Sequence, residues 1–296
     1  MVAKADSGRS PRGKRRRPGR ATSSDACPVF VLGAPRSGTT LLRWILDTHS
    51  KIHCPGETRF LLALRDFYES PHTVPNLTAL GMSEARLIEY LRALVLGIMG
   101  ELTARAGKTR WAEKTPYYSI LPNFIHTLFA GDCKFIIVMR HGLDVASSMV
   151  TALDEKLWSP GLRMVHETDQ QFGLTDIPLL RAARIWVSYC EHLNAFRHLH
   201  PESCHVVYYE KLVARPLPTA GQFFRFIGEK VEPGLLDRVF RSDHGEGRGD
   251  PKIQQTRSIK KDRAGTWREL PLGMLKILSP IVNPQLAVWG YPRISR

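Results

Sequence analysis

The sequence predicts an α/β protein in which helices cover both faces of a parallel β-sheet. Three features point there. Short apolar, β-branched runs at residues 27–33, 134–140 and 204–209 read as buried strands. Segments with apolar residues at helical spacing follow and separate them. The strand runs are continuously apolar instead of alternating, as in strands buried on both sides.

In chain order, Cys27-Pro-Val-Phe-Val-Leu-Gly33 is the first strand, closed by glycine. Ala34-Pro-Arg-Ser-Gly-Thr-Thr40 is a glycine loop, and Leu41, Leu42, Ile45 and Leu46 then fall at helical spacing. A long helix is expected from Ser83 to about Met99, with Leu87, Leu91, Leu94 and Val95 on one face. Lys134–Arg140 is the second strand, apolar up to its arginine, and a helix follows through Val145, Ser148 and Met149. Leu179, Ala183, Trp186, Tyr189, Leu193 and Phe196 give a core-facing helix over 178–200. Cys204–Tyr209 reads as a third buried strand and Pro218–Gly228 as a further helix. Residues 151–176 and 241–264 are polar and aperiodic, so loops or lids are expected there. The second stretch is dense in cations, among them Lys260, Lys261 and Arg263. There is no internal repeat.

Composition narrows the function classes. The chain has 296 residues, 43% hydrophobic and 24% charged, an ordinary globular mix that excludes disordered and fibrous classes. No run approaches the roughly 18–20 apolar residues of a membrane-spanning helix. The basic N-terminus has no apolar segment behind it, so a secretory signal is not expected. Five cysteines, widely spaced and without a CxxC pair, argue against a disulfide framework or a zinc module. His192, His198 and His200 lack a glutamate at HExxH spacing, and no metal site is expected. A cytoplasmic protein is expected.

The formal charge is +14, and residues 1–25 carry eight Lys/Arg against Asp6 and Asp25, leaving +8 on the remainder. Residues 1–26 form a basic Pro/Gly/Ser-rich tail with few large apolar residues, so a disordered arm is expected. It is either a solvated arm or an attraction for an anionic partner such as lipid, nucleic acid or an acidic protein. The charge on the body suggests a surface that handles anions.

Two segments carry that chemistry. A glycine loop entering a helix N-terminus presents unpaired N–H groups and the positive end of the helix dipole, a phosphate site. Hydroxyls at Ser37, Thr39 and Thr40 add donors, and Arg36 adds a charged fork. This is not a Walker A loop, because Thr39 stands where GxxxxGK[ST] needs lysine. Arg140 ends a strand, and Ser148 follows eight residues on. The carboxyl ends of parallel strands are where open α/β sheets bind ligands, so this pair suits a second phosphate. An ion pair between Arg140 and Asp144 is the structural alternative.

The segment from Phe30 to Phe60 resembles the start of the sulfotransferase family that uses 3′-phosphoadenosine 5′-phosphosulfate as donor. The resemblance spans about residues 28–270. It implies a P-loop NTPase-like three-layer α/β/α sandwich with a central parallel sheet, here over residues 27–296. The loop Arg36, Ser37, Gly38, Thr39, Thr40 is then the 5′-phosphosulfate site, and Arg140 with Ser148 the 3′-phosphate site. Lys260-Lys-Asp-Arg-Ala-Gly-Thr-Trp267 is similar to the family's RKGxxGDW loop, with Lys260 and Lys261 as its cations and Asp262 in place of its first glycine. Tyr209 of Tyr208-Tyr-Glu210 matches a tyrosine beside the adenine. Cys54-Pro-Gly-Glu57-Thr-Arg59 resembles the GEETR segment of tyrosylprotein sulfotransferases, which implies Glu57 as general base. Glu113-Lys114-Thr115-Pro116 resembles the EKTP motif of carbohydrate sulfotransferases, which implies Lys114 at the leaving oxygen.

The chemistry agrees with those roles. An attacking hydroxyl needs its proton removed by a nearby carboxylate, and the departing oxygen gains charge that Lys114 and Arg36 can stabilise. His49 and His53 are the rival bases. Structural alternatives are an ion pair of Glu57 with Arg59 or Arg43, and a surface position for Lys114. The acceptor is a hydroxyl on a phenol, a sugar or a natural-product alcohol. The enzyme alternative is a small-molecule or nucleotide kinase, which would need magnesium and the missing loop lysine. The other is a basic nucleic-acid or anion-binding protein. Oligomeric state is not legible.

Overall fold

The computed structural model describes residues 27–157, 168–245, 253, 256–260 and 262–295. The 1–26 tail and Lys261 lie outside the described residues. Five strands, β1 (Val29–Leu32), β2 (Ile52–His53), β3 (Arg110–Lys114), β4 (Lys134–Met139) and β5 (Cys204–Tyr208), form one sheet in the order β2-β3-β1-β4-β5. Every neighbouring pair is parallel. The helices are α1 (Thr39–Asp47), α2 (Phe60–Tyr68), α3 (Thr73–Ala79), α4 (Glu84–Arg105), α5 (Pro122–Leu128), α6 (Gly142–Asp154), α7 (Pro178–Leu199), α8 (Tyr209–Ala214), α9 (Pro216–Phe226), α10 (Leu235–Arg238) and α11 (Leu272–Val288).

Strand periodicity builds the three layers. Side chains alternate across a strand, so Phe30 and Leu32 of β1 and Phe135, Ile137 and Met139 of β4 enter one core, packed by α4, α5, α6, α7 and α11. Val29, Val31, Ile136 and Val138 enter the other, packed by α1, α8, α9 and α10. All four residues of β1 are buried. Both faces being covered is the reason its sequence reads as an unbroken apolar run.

The structure amends several expectations. Helix α4 starts after Ser83, whose Oγ accepts from the Arg86 N–H at 3.3 Å, but it runs on to Arg105. Tyr209 opens α8 instead of ending β5, and α9 begins at Pro216. The expected loop at 151–176 is partly helical, because α6 continues to Asp154 and residues 168–172 are helical. Strand β3 carries no apolar run: Arg110-Trp-Ala-Glu-Lys114 has the composition of a solvated segment, yet all five residues are buried.

Candidate active site

The loop after β1 turns tightly, with the Ser37 N–H donating to the Ala34 carbonyl at 3.1 Å. Gly38 then adopts φ 97 at the N-terminus of α1, which no side chain caps. A Cβ on Gly38 would stand 2.4 Å from Tyr209 Cδ2, so the loop and the aromatic ring can pack this closely only through glycine. Arg36 holds φ 70, in the left-handed region that L-residues rarely occupy. Arg36, Gly38, Thr39 and Thr40 line a cleft of about 1220 Å³ at the carboxyl end of the sheet, with Ser37 buried beneath.

Arg140 joins the parts of this cleft. It follows the last residue of β4, and its Nη1 donates to the Arg36 carbonyl at 3.0 Å while Nη2 donates to the Arg263 carbonyl. Its guanidinium lies over the Tyr209 ring, 4.6 Å from the centroid. Arg36 Nε donates to Ser148 Oγ at 3.3 Å, one helix away. Asp144 turns to a different partner from the one expected. Its carboxylate accepts from the Gly265 N–H, the Thr266 hydroxyl and the Trp267 N–H, so the alternative of an Arg140–Asp144 pair falls away. Lys260 and Arg263 also line the cleft.

Beside the strand that leads into the glycine loop, β3 brings up Lys114, in register with Val31 and fully buried. Its Nζ donates to Glu57 Oε1 at 2.7 Å, and Arg59 Nη2 donates to Glu57 Oε2 at 3.0 Å. Both cations therefore hold Glu57 at the cleft wall, with Arg59 at 5.1 Å over the ring of Tyr117. The surface position for Lys114 is ruled out, and the Arg59 contact exists alongside the Lys114 one. Arg43 points away, to the carbonyls of Cys54, Pro55 and His244. The rival bases lie elsewhere. His49 stacks on Phe224, His53 faces Asp47 at 3.3 Å, and neither lines the cleft.

Sequence reasoning assigned no role to Glu113. Its Oε1 accepts from the Thr58 N–H at 3.3 Å, the Thr58 hydroxyl at 2.8 Å and the Thr115 hydroxyl at 2.9 Å. Oε2 is buried with no partner among the described residues. Burial pushes this carboxyl up to about 7, outweighing the hydrogen bonds from Thr58 and Thr115 that oppose it. Successive residues of one strand thus grip successive residues of the 55–59 loop, Lys114 holding Glu57 and Glu113 holding Thr58. The signal in the sequence for Glu113 was its place in Glu113-Lys114-Thr115-Pro116, a segment singled out for its lysine.

A glycine loop at a parallel sheet's carboxyl end, with Arg36 within it and Arg140 bonded to it on one cleft, defines an anion-handling α/β protein. The comparisons give the family. The model described as "Sulfotransferase family" matches residues 28–233. Nodulation protein NoeE of Sinorhizobium fredii is 25% identical over 293 residues, covering 90% of this chain and 67% of that protein. Protein-tyrosine sulfotransferase 2 of Gallus gallus is 29% identical over 275 residues, covering 89% of this chain and 69% of that one. Among solved structures, the sulfotransferase domain from the curacin biosynthetic pathway superposes with a TM-score of 0.64 at 22% identity, over 90% of this chain and 98% of that chain. The chain belongs to the sulfotransferase family and is an enzyme of sulfuryl transfer dependent on 3′-phosphoadenosine 5′-phosphosulfate, with a hydroxyl-bearing acceptor. The kinase and the non-enzymatic anion-binding alternatives are set aside. Among the described residues no helix is long and apolar enough to cross a membrane, and no group of His, Cys, Asp and Glu is arranged to hold a metal.

Proposed function

We propose that residues 27–296 form one sulfotransferase domain whose reaction takes place where Glu57 meets Lys114, the acceptor being a phenol, a sugar or a natural-product alcohol. The N–H groups of the 36–40 loop, with Arg36, Thr39 and Thr40, hold the 5′-phosphosulfate, and Ser37 and Gly38 shape the loop that does so. Arg140, Ser148 and Lys260 hold the 3′-phosphate, with Tyr209 beside the adenine. Lys261 joins them on its place in the motif alone. The basic 1–26 tail takes an anionic partner, and the protein works in the cytoplasm without a catalytic metal.

Glu57 takes the proton of the acceptor hydroxyl, whose oxygen forms the new bond to sulfur. The bond from sulfur to the bridging phosphate oxygen breaks, and 3′-phosphoadenosine 5′-phosphate leaves with that electron pair. Negative charge grows on the bridging oxygen, and a buried ammonium stabilises it far better than water could. The contact between Lys114 and Glu57 couples the two events. A carboxylate that gains a proton loses most of its hold on the neighbouring ammonium, so Lys114 turns to the leaving oxygen as the charge appears there.

The observation that carries this reading is the 2.7 Å contact to Glu57, which lines the cleft with Arg36 and Arg140, from Lys114, which is fully buried behind it. Calorimetric titration with 3′-phosphoadenosine 5′-phosphate tests it, with magnesium-ATP as the comparison. Tight binding without magnesium is expected in the wild type and in Glu57→Gln, with turnover lost in the variant alone. A preference for magnesium-ATP, or full turnover by Glu57→Gln, would overturn it.

A further inference from the structure

Asp144 occupies a place that its charge alone would make unfavourable. It lines the cleft assigned above to a polyanionic donor, and it is only 1% exposed. A buried carboxylate in such a position is kept only where hydrogen-bond donors compensate its lost hydration. Here three do. Oδ2 accepts from the Gly265 N–H at 2.6 Å, and Oδ1 accepts from the Thr266 hydroxyl at 3.0 Å and the Trp267 N–H at 2.8 Å. The three donors are consecutive residues of one turn, and Gly265 holds φ 83, a conformation that suits glycine.

The first residues around the start of α6 hold the same segment at two more points. Arg140 donates to the Arg263 carbonyl, and the His141 ring stacks on Trp267 at 4.5 Å and 5°. The held segment carries Arg263 and follows Lys260, both of which line the cleft. One end of α6 therefore does two jobs. Arg140 and Ser148 line the cleft assigned above to the donor, and Asp144 between them grips the turn at 265–267.

We propose that Asp144 is a positioning residue for the donor: it latches the 263–267 loop across the cleft and so sets how tightly and how long the nucleotide is held. It acts through the loop, without touching the nucleotide. The proposal rests on the donor reading above. A charge-assisted hydrogen bond contributes a factor of about ten or more in an equilibrium. Losing three of them, in a loop still held by Arg140 and His141, gives a penalty on the order of tenfold to a hundredfold in nucleotide affinity.

The test uses the full chain. Asp144→Ala is expected to raise the Kd for 3′-phosphoadenosine 5′-phosphate by that factor in calorimetry, and to speed its dissociation in stopped flow. The acceptor KM at saturating donor stays unchanged. Trypsin is expected to cut after Arg263 or Arg268 faster in the variant, and saturating nucleotide to restore protection. A residue that served only global stability would shift the unfolding midpoint without this pattern. Thr266→Val removes one of the three bonds at a partly exposed site and is expected to weaken binding several-fold. It decides the matter if Asp144→Ala fails to fold. Wild-type Kd and dissociation rate in a folded variant would overturn the latch while leaving the donor reading intact. A wild type that binds no bisphosphate would overturn the donor reading, and the latch with it.

Discussion

Replacing Glu113 by Gln separates the cost of burying a charge from the value of the hydrogen bonds it accepts. The carboxyl has an ordinary value of 4.5 and is pushed up by burial to about 7 in the folded protein. Below 4.5 it is protonated folded and unfolded, and the fold keeps its full stability. As pH rises toward 7 the unfolded chain releases a proton that the native state retains, so stability is lost across that interval. A tenfold change in an acid's dissociation constant between the two states is worth about 1.4 kcal/mol, which makes the loss on the order of 3 kcal/mol. Glutamine keeps a carbonyl oxygen for Thr58 and Thr115 but cannot ionise. Urea unfolding at about pH 5 and about pH 8 is the assay. The two proteins are expected to be within about 1 kcal/mol of each other at the lower pH, with the variant ahead by roughly 3 kcal/mol at the higher. His141, pushed down by burial to about 4, slopes the opposite way, but it is common to both proteins and cancels. A difference that stays constant with pH would refute the reasoning.

Gly38→Ala puts a Cβ 2.4 Å from the Tyr209 ring at φ 97. Left-handed strain and overpacking together should cost about 2–5 kcal/mol in chemical denaturation. Arg140→Lys keeps the charge but loses the fork that reaches the carbonyls of Arg36 and Arg263 and the face over Tyr209. Affinity for 3′-phosphoadenosine 5′-phosphate should fall at least about tenfold by calorimetry. Lys114→Met fills the same buried volume without the ammonium, so steady-state kcat should drop by about a hundredfold to a thousandfold. Donor affinity should change little.

Legibility followed chemistry type. β1 and β4 could be read because both their faces are covered and, Lys134 apart, their sequences are apolar. β5 is also a strand, but it lies at the sheet edge with only Val207 buried, so the expected third buried strand is half-buried instead. Arg36–Thr40, Arg140 and Ser148 could be singled out because glycine loops and strand ends are where donors for anions collect, and the structure brings all of them but the buried Ser37 to one cleft. β3 was hidden for the opposite reason. A strand that delivers Glu113 and Lys114 to a buried site must carry charge, so hydropathy reports it as surface. The long-range partners were hidden too. Nothing in the order of residues says that Asp144 meets Gly265 instead of Arg140, or that Glu113 meets Thr58. Those pairings arise only when separate elements converge.

The pairing of β3 with β1 makes the chemistry of the site depend on the register of one strand. Ala112, Glu113 and Lys114 lie opposite Val29, Phe30 and Val31, and the turn leading into β3 is only residues 106–109. Because strand side chains alternate, a shift of one residue exchanges the faces to which Glu113 and Lys114 point. A one-residue slip of β3 against β1 would leave a sheet with its hydrogen bonds intact and its chemistry reversed. A library seeking new acceptors by loop grafting should leave this turn at its present length and place its diversity elsewhere around the cleft.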